Sequence, residues 1–124
     1  RLAEDPPPES PIDRDSFNEI ASLMLEETLL ELMGTLFDEP QGTIPELRSA
    51  LQGDDLSAIA YSAHKLKGTA MLIGFRAIAK TASLIEGLAQ KGQKPDAHIL
   101  CEQLRRDSES THQAMRQILD RKAA

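Results

Sequence analysis

The chain has 124 residues, 40% of them hydrophobic and 3% aromatic, with a formal net charge of −6. That length suits one domain around a single apolar core, and the acidic balance argues against nucleic acid as the main partner. The lone cysteine, Cys101, excludes an internal disulfide and suits a reducing compartment, while no apolar run reaches the ~18 residues of a membrane span, so no direct membrane contact is expected.

Pro6, Pro7, Pro8 and Pro11, set among Glu and Asp, make residues 1–12 an extended, solvated linker. No signal-peptide pattern opens the chain, and it starts at Arg1 rather than Met, so a piece of a longer protein is expected. Helical periodicity begins near Asp13 to Phe17. Ser16 with Glu19, Thr28 with Glu31 and Thr43 with Glu46 have the spacing of capping boxes. Pro40, Gly42 and Pro45 interrupt the apolar run that reaches Phe37, so Leu29 to Leu51 is either one kinked helix or two pieces. Gly53-Asp54-Asp55 is a further break and offers an N-cap. Leu56, Ile59, Ala60, Ala63, Leu66, Ala70 and Ile73 then keep helical spacing, and Gly74 fits the left-handed position just past a helix end. Another helix runs from about Arg76 to Gln90, with Ile78, Ala82, Ile85, Leu88 and Ala89 facing inward. The last is opened by Pro95 in its first turn and lined by Leu100, Leu104, Thr111, Met115 and Ile118. Four or five amphipathic helices with short loops give an all-α fold, an antiparallel bundle over residues 13–121, with 122–124 as a C-terminal tail.

On the helix from Leu56 to Ile73, at about 100° per residue, the apolar stripe centres near Ala63 and Ala70. His64 lies about 120° from that centre, outside the core face. Ala60, Tyr61, Lys67, Gly68 and Met71 share its side. Lys67 can pack its stem while its ammonium reaches solvent beside the imidazole, ready to contact an anion attached there. Gly68 costs ~1 kcal/mol relative to alanine in a helix interior, which makes sense where the surface must stay flat for a close partner. The charge distribution supports such a surface. Residues 1–55 carry 3 Lys or Arg against 14 Asp or Glu, but residues 56–91 carry Lys65, Lys67, Arg76, Lys80 and Lys91 against Glu86 alone. A neutral imidazole nitrogen attacks activated phosphoryl groups, and the phosphoramidate it forms can pass the group on. His98 and His112 sit among polar neighbours and read as ordinary surface or boundary residues. Met24, Met33 and Met115 fit core spacing. Cys101 has no partner at metal-ligand spacing, so no metal site is expected. No phosphate-cradling glycine loop is present, so the chain has no visible means of using ATP.

The run His64-Lys65-Leu66-Lys67-Gly68-Thr69-Ala70, ending at Gly74, closely resembles the signature of the histidine phosphotransfer (HPt) domain family. Phe37, Leu47, Leu51 and Gly53-Asp54 ahead of it, and Ile85-Glu86 behind it, follow the family's order, so the resemblance covers about residues 13–119. It implies an antiparallel four-helix bundle with an accessory N-terminal helix. It also implies that His64 is the phosphorylated residue, Lys67 its electrostatic support and Gly68 the clearance for a partner. Ala60, Tyr61, Lys65 and Met71 complete the expected contact surface. The implied partners are receiver domains of response regulators or of the same hybrid sensor kinase, whose acidic pockets hold the Mg²⁺; the chain itself is expected to need no cofactor. The isolated domain is expected to be a monomer and cytoplasmic, within a membrane-anchored kinase or alone, with the proline-rich start as a tether to a preceding receiver. As a phosphocarrier without an ATP site it is a relay component rather than a complete enzyme.

Two departures from the family pattern stand out: Pro40, Gly42 and Pro45 are dense for the helix that precedes the His helix, and Thr69 stands where Ser is commoner. Other readings differ in class. Gly74-Phe75 is similar to the N-terminal phosphotransfer domain of a chemotaxis kinase. The dimerisation helices of a histidine kinase carry an acidic residue after the histidine and soon a proline, whereas here Lys65 follows and no proline precedes Pro95. In a purely docking helical module His64 would be dispensable.

Overall fold

The computed structural model describes residues 10–123, with side chains from 10 to 121. Six helices account for most of it: α1 (Arg14–Ser22), α2 (Glu26–Phe37), α3 (Thr43–Leu51), α4 (Leu56–Ile73), α5 (Arg76–Gln90) and α6 (Ala97–Ala123). No strand occurs among the described residues, and no helix is long and apolar enough to cross a membrane. α4 and α5 form the most extensive helix pair; α3 bridges α2, α4 and α6, α5 also meets α6, and α1 lies on α4.

α4 is the best-defined element at both ends. The Asp55 carboxylate accepts hydrogen bonds from the Ser57 and Ala58 N–H groups at 3.0 and 3.2 Å, satisfying donors that have no partner inside the helix. Ile59, Ala63, Leu66 and Ala70 are fully buried along one stripe. The helix stops at Gly74, which has φ 84°. There the Phe75 N–H donates to the Ala70 carbonyl at 2.8 Å and the Gly74 N–H to Met71 at 3.3 Å, the two bonds of a Schellman closure. The same turn receives the N-terminal segment. A Cβ on Gly74 would lie 2.8 Å from the Asp13 carbonyl oxygen, and the Asp13 N–H donates to the Gly74 carbonyl at 2.7 Å.

This docking moves the expected linker boundary. Residues 1–9 lie outside the described chain, but Ile12, assigned to the linker by composition, is fully buried. The Pro11 carbonyl accepts from Ala77 N–H at 3.1 Å, and the Arg76 guanidinium donates to the carbonyls of Ser10 and Ile12 at 3.1 and 3.3 Å. Prolines and acids mask one apolar anchor. At the other end, α6 runs on to Ala123, so the tail expected at 122–124 is largely helical; residue 124 lies outside the described chain.

None of the three expected capping boxes forms. α1 is capped by Asp13, whose carboxylate accepts from the Ser16 N–H and hydroxyl, so Ser16 is a donor in the first turn. Thr28 lies inside α2, which begins at Glu26 without a side-chain cap. Gly42 stands at the cap of α3, and Thr43 instead donates its hydroxyl to the Thr35 carbonyl at 3.0 Å, tying α3 back to α2. The stretch from Leu29 to Leu51 is therefore two helices separated at residues 38–42, where Pro40 has no N–H to continue the ladder. Pro95 is buried just ahead of α6 rather than in its first turn, and the Asp96 carboxylate caps that helix through the Ile99 N–H at 3.0 Å. On the inner face of α6, Leu100, Leu104, Thr111 and Ile118 are buried, and a buried Asp107 joins them. Its carboxylate accepts from the Thr81 hydroxyl and from the Gln103 amide.

Candidate functional site

α4 and α5 meet through apolar stripes, and three polar side chains meet along the outer edge of that seam. His64 projects from α4 beside the buried Ala63, with 68% of its side chain exposed. Facing it from α5 is Glu86, in the same turn as the buried Ile85 and Ala89 and only 9% exposed itself. One carboxylate oxygen lies 2.7 Å from His64 Nδ1, the other 2.6 Å from Lys67 Nζ. The Gln90 amide adds a longer bond, 3.4 Å, to the oxygen that His64 uses. The hydrogen bond from Lys67 holds the Glu86 carboxyl below its ordinary value; burial pushes it up, and the bond to His64 helps to lower it again.

This geometry decides which imidazole nitrogen is available. An ionised carboxylate has lone pairs and no proton, so it can only accept. Nδ1 must therefore donate, and in the neutral ring Nε2 is the nitrogen with the free lone pair. That nitrogen belongs to an exposed side chain, while the opposite edge of the ring is fixed against the body of the domain.

The other residues of the expected site separate into two groups. Gly68 lies one turn beyond His64 on the open face, and a Cβ there would meet nothing within 4 Å. Tyr61 and Met71 are 71% and 63% exposed, and Ala60 is half-buried. A hollow of about 370 Å³ adjoins Met71 between α4 and α5, with Lys67, Ala79 and Lys80 also in its lining. Lys65 turns toward α3, where its ammonium lies 3.3 Å from the Glu46 carboxylate that also accepts from the buried Ser62 hydroxyl.

Lys67 differs from its expected setting. Its side chain is 27% exposed and its ammonium is engaged by Glu86, rather than standing in water beside the imidazole. Glu86 itself is the residue that periodicity did not single out as a site residue. Its signal in the sequence was that it is the lone acid between residues 56 and 91, on the inward stripe of its helix. His98 is exposed. His112 is half-buried, 4.3 Å from the Phe37 ring and bonded through Nδ1 to the Ser108 carbonyl. Burial pushes the Cys101 thiol up, and no group of three or more His, Cys, Asp or Glu among the described residues is placed to hold a metal ion.

The pair of bonds on Glu86 has a stability consequence. A carboxyl held below its ordinary 4.5 in the fold contributes its full stabilisation above that value and loses it as acid takes the pH down through the lowered one. Glu86→Gln should flatten the acid limb of stability against pH, read by urea unfolding from about pH 7 to pH 3. An unaltered acid limb would contradict the pairing. Lys67→Ala should cost about 1–3 kcal/mol at neutral pH, because it leaves a buried carboxylate without its cation.

No curated protein matches the chain. The family model of the Hpt domain matches residues 31–122. That span takes in α3, α4, α5 and the site residues His64, Lys67 and Glu86, and leaves α1 outside. The chain belongs to the Hpt domain family, whose activity is phosphotransfer in two-component signalling.

Proposed function

We propose that this domain is a phosphorelay intermediate that takes a phosphoryl group onto His64 from a receiver-domain aspartate and passes it to another receiver. The observation that carries the reading is the bond from His64 Nδ1 to the buried Glu86 at 2.7 Å, on a ring otherwise open to a partner. On loading, the Nε2 lone pair attacks phosphorus and the bond to the aspartyl oxygen breaks. Its electron pair stays on the receiver's carboxylate. The ring gains positive charge, which the Glu86 carboxylate stabilises from the Nδ1 side. Lys67, in the adjacent turn of α4, is the electrostatic support of the site, holding that carboxylate ionised. Mg²⁺ belongs to the receiver's acidic pocket in this scheme, and the domain needs no cofactor and no nucleotide.

Ala60, Tyr61, Lys65, Gly68 and Met71 form the surface on which the receiver closes, with the hollow beside Met71 and Lys80 at its edge. We read α2 with α3, then α4, α5 and α6, as the antiparallel four-helix bundle, with α1 as the accessory helix. The domain extends from about Ser10, where the chain first docks on α5, to the end of α6, preceded by a tether. The setting that fits best is a hybrid sensor kinase whose own receiver is one of the partners.

The test is to mix the domain with a receiver carrying labelled aspartyl phosphate. Acid-labile label should appear on the parent and on His98→Gln and His112→Gln, and should be absent from His64→Gln with its fold intact. Undiminished labelling of His64→Gln would overturn the reading. Gly68 provides an independent check, because fold and function should move apart. Gly68→Ala adds a Cβ into open space in a helix interior, so the domain should gain up to about 1 kcal/mol of stability. Transfer should slow, and Gly68→Gln should slow it further. Normal transfer by both variants would remove close approach as the reason for the glycine.

A further inference from the structure

Glu86 touches the ring at the nitrogen that is not the nucleophile, so its contact survives phosphorylation of Nε2. The carboxylate is anchored independently of His64 by Lys67 at 2.6 Å and by Gln90 at 3.4 Å, and it is buried in the α4–α5 seam. From this we infer that Glu86 serves the outward half of the relay as a positioning residue: it retains the Nδ1 proton on the phosphorylated ring, so that His64 departs as neutral imidazole. The inference rests on the reading of His64 as the phosphate carrier.

A receiver aspartate oxygen attacks phosphorus, the P–Nε2 bond breaks, and its electron pair returns to Nε2. With Nδ1 protonated, the phosphorylated ring is cationic and the leaving group is neutral imidazole. No proton has to arrive from solvent. With Nδ1 bare, the same bond cleavage would expel an imidazolate anion, a far stronger base and a much poorer leaving group. An ionised carboxylate 2.7 Å away favours the cationic ring over the bare one.

The groups around this proton are few. α4 presents His64 and Lys67, and α5 presents Glu86 and the Gln90 amide. α6 directs its buried carboxylate, Asp107, to Thr81, and α3 directs Glu46 to Ser62 and Lys65. Lys67 sustains the device by keeping Glu86 ionised, and it opposes the cationic ring by its own charge. The carboxylate lies between the two and offsets that repulsion.

The experiment loads the parent and Glu86→Gln on His64 with a small phosphoramidate donor, then follows transfer to one Mg²⁺-loaded receiver across about pH 6 to pH 9. Using the same receiver throughout makes its own titration cancel in the ratio of variant to parent rate. The ratio should approach one at the acid end and fall about tenfold by the alkaline end, because the variant loses its Nδ1 proton to solvent where the parent keeps it. A ratio that is low but constant with pH overturns the inference and leaves Glu86 a merely structural role. A second measurement needs no variant: ¹⁵N NMR of the phosphorylated parent should show Nδ1 protonated to higher pH than in a phosphohistidine peptide spanning residues 60–68. Loss of the proton at the same pH in both would also overturn it. If His64 takes no phosphoryl group at all, the carrier reading itself fails, and the inference with it.

Discussion

One buried carboxylate, shared between an imidazole and an ammonium, is the constraint on which the rest of the site depends. Glu86 is 9% exposed at its side chain, and a charge so placed is costly unless its lone pairs are occupied. Lys67 and His64 occupy them, at 2.6 and 2.7 Å, from positions one turn apart on α4. That arrangement requires α4 and α5 to be in register, and the buried faces of the two helices supply it: Ile59, Ala63, Leu66 and Ala70 against Ile78, Ala82, Ile85 and Ala89. The apolar seam and the polar edge are thus one packing solution. The seam brings Glu86 under the ring, and the ring's orientation follows.

The same constraint divides labour across the surface of α4. The edge toward α5 holds the charges that act on His64. The outer edge, with Tyr61 and Gly68, carries little that would resist an approaching protein. The edge toward α3 is closed by Glu46, which engages Ser62 and Lys65. Of the cations clustered in this part of the chain, Lys65 and Lys67 are therefore paired with carboxylates of neighbouring helices. Their charge is engaged inside the bundle.

The features legible in the sequence were those written locally. The helix from Leu56 to Gly74 carries its start in Asp55, its buried stripe in evenly spaced apolar residues and its stop in a glycine that takes φ 84°. The exposure of His64 and the openness beside Gly68 follow from the same wheel. What was not legible depended on neighbours distant along the chain. Lys67 reads as a solvated cation until Glu86, nineteen positions on, is brought beneath it. Ile12 reads as linker until Gly74 and Arg76 supply hydrogen-bond partners for the backbone around it. The capping boxes failed for a related reason: the motif names donors and acceptors at the right spacing, but Asp13 competes for Ser16, and the Thr35 carbonyl competes for Thr43. Local grammar identified the helices; tertiary competition chose their ends.

The claim at the centre of this account is that Glu86 holds the ring by Nδ1 and leaves Nε2 to react. It is tested most directly by ³¹P–¹⁵N coupling in the phosphorylated, ¹⁵N-labelled domain, which shows the nitrogen bonded to phosphorus. Coupling to His64 Nε2 is expected, with Nδ1 still bearing its proton. Coupling to His64 Nδ1 would mean that the bond to Glu86 is broken when the phosphoryl group arrives, and would contradict it.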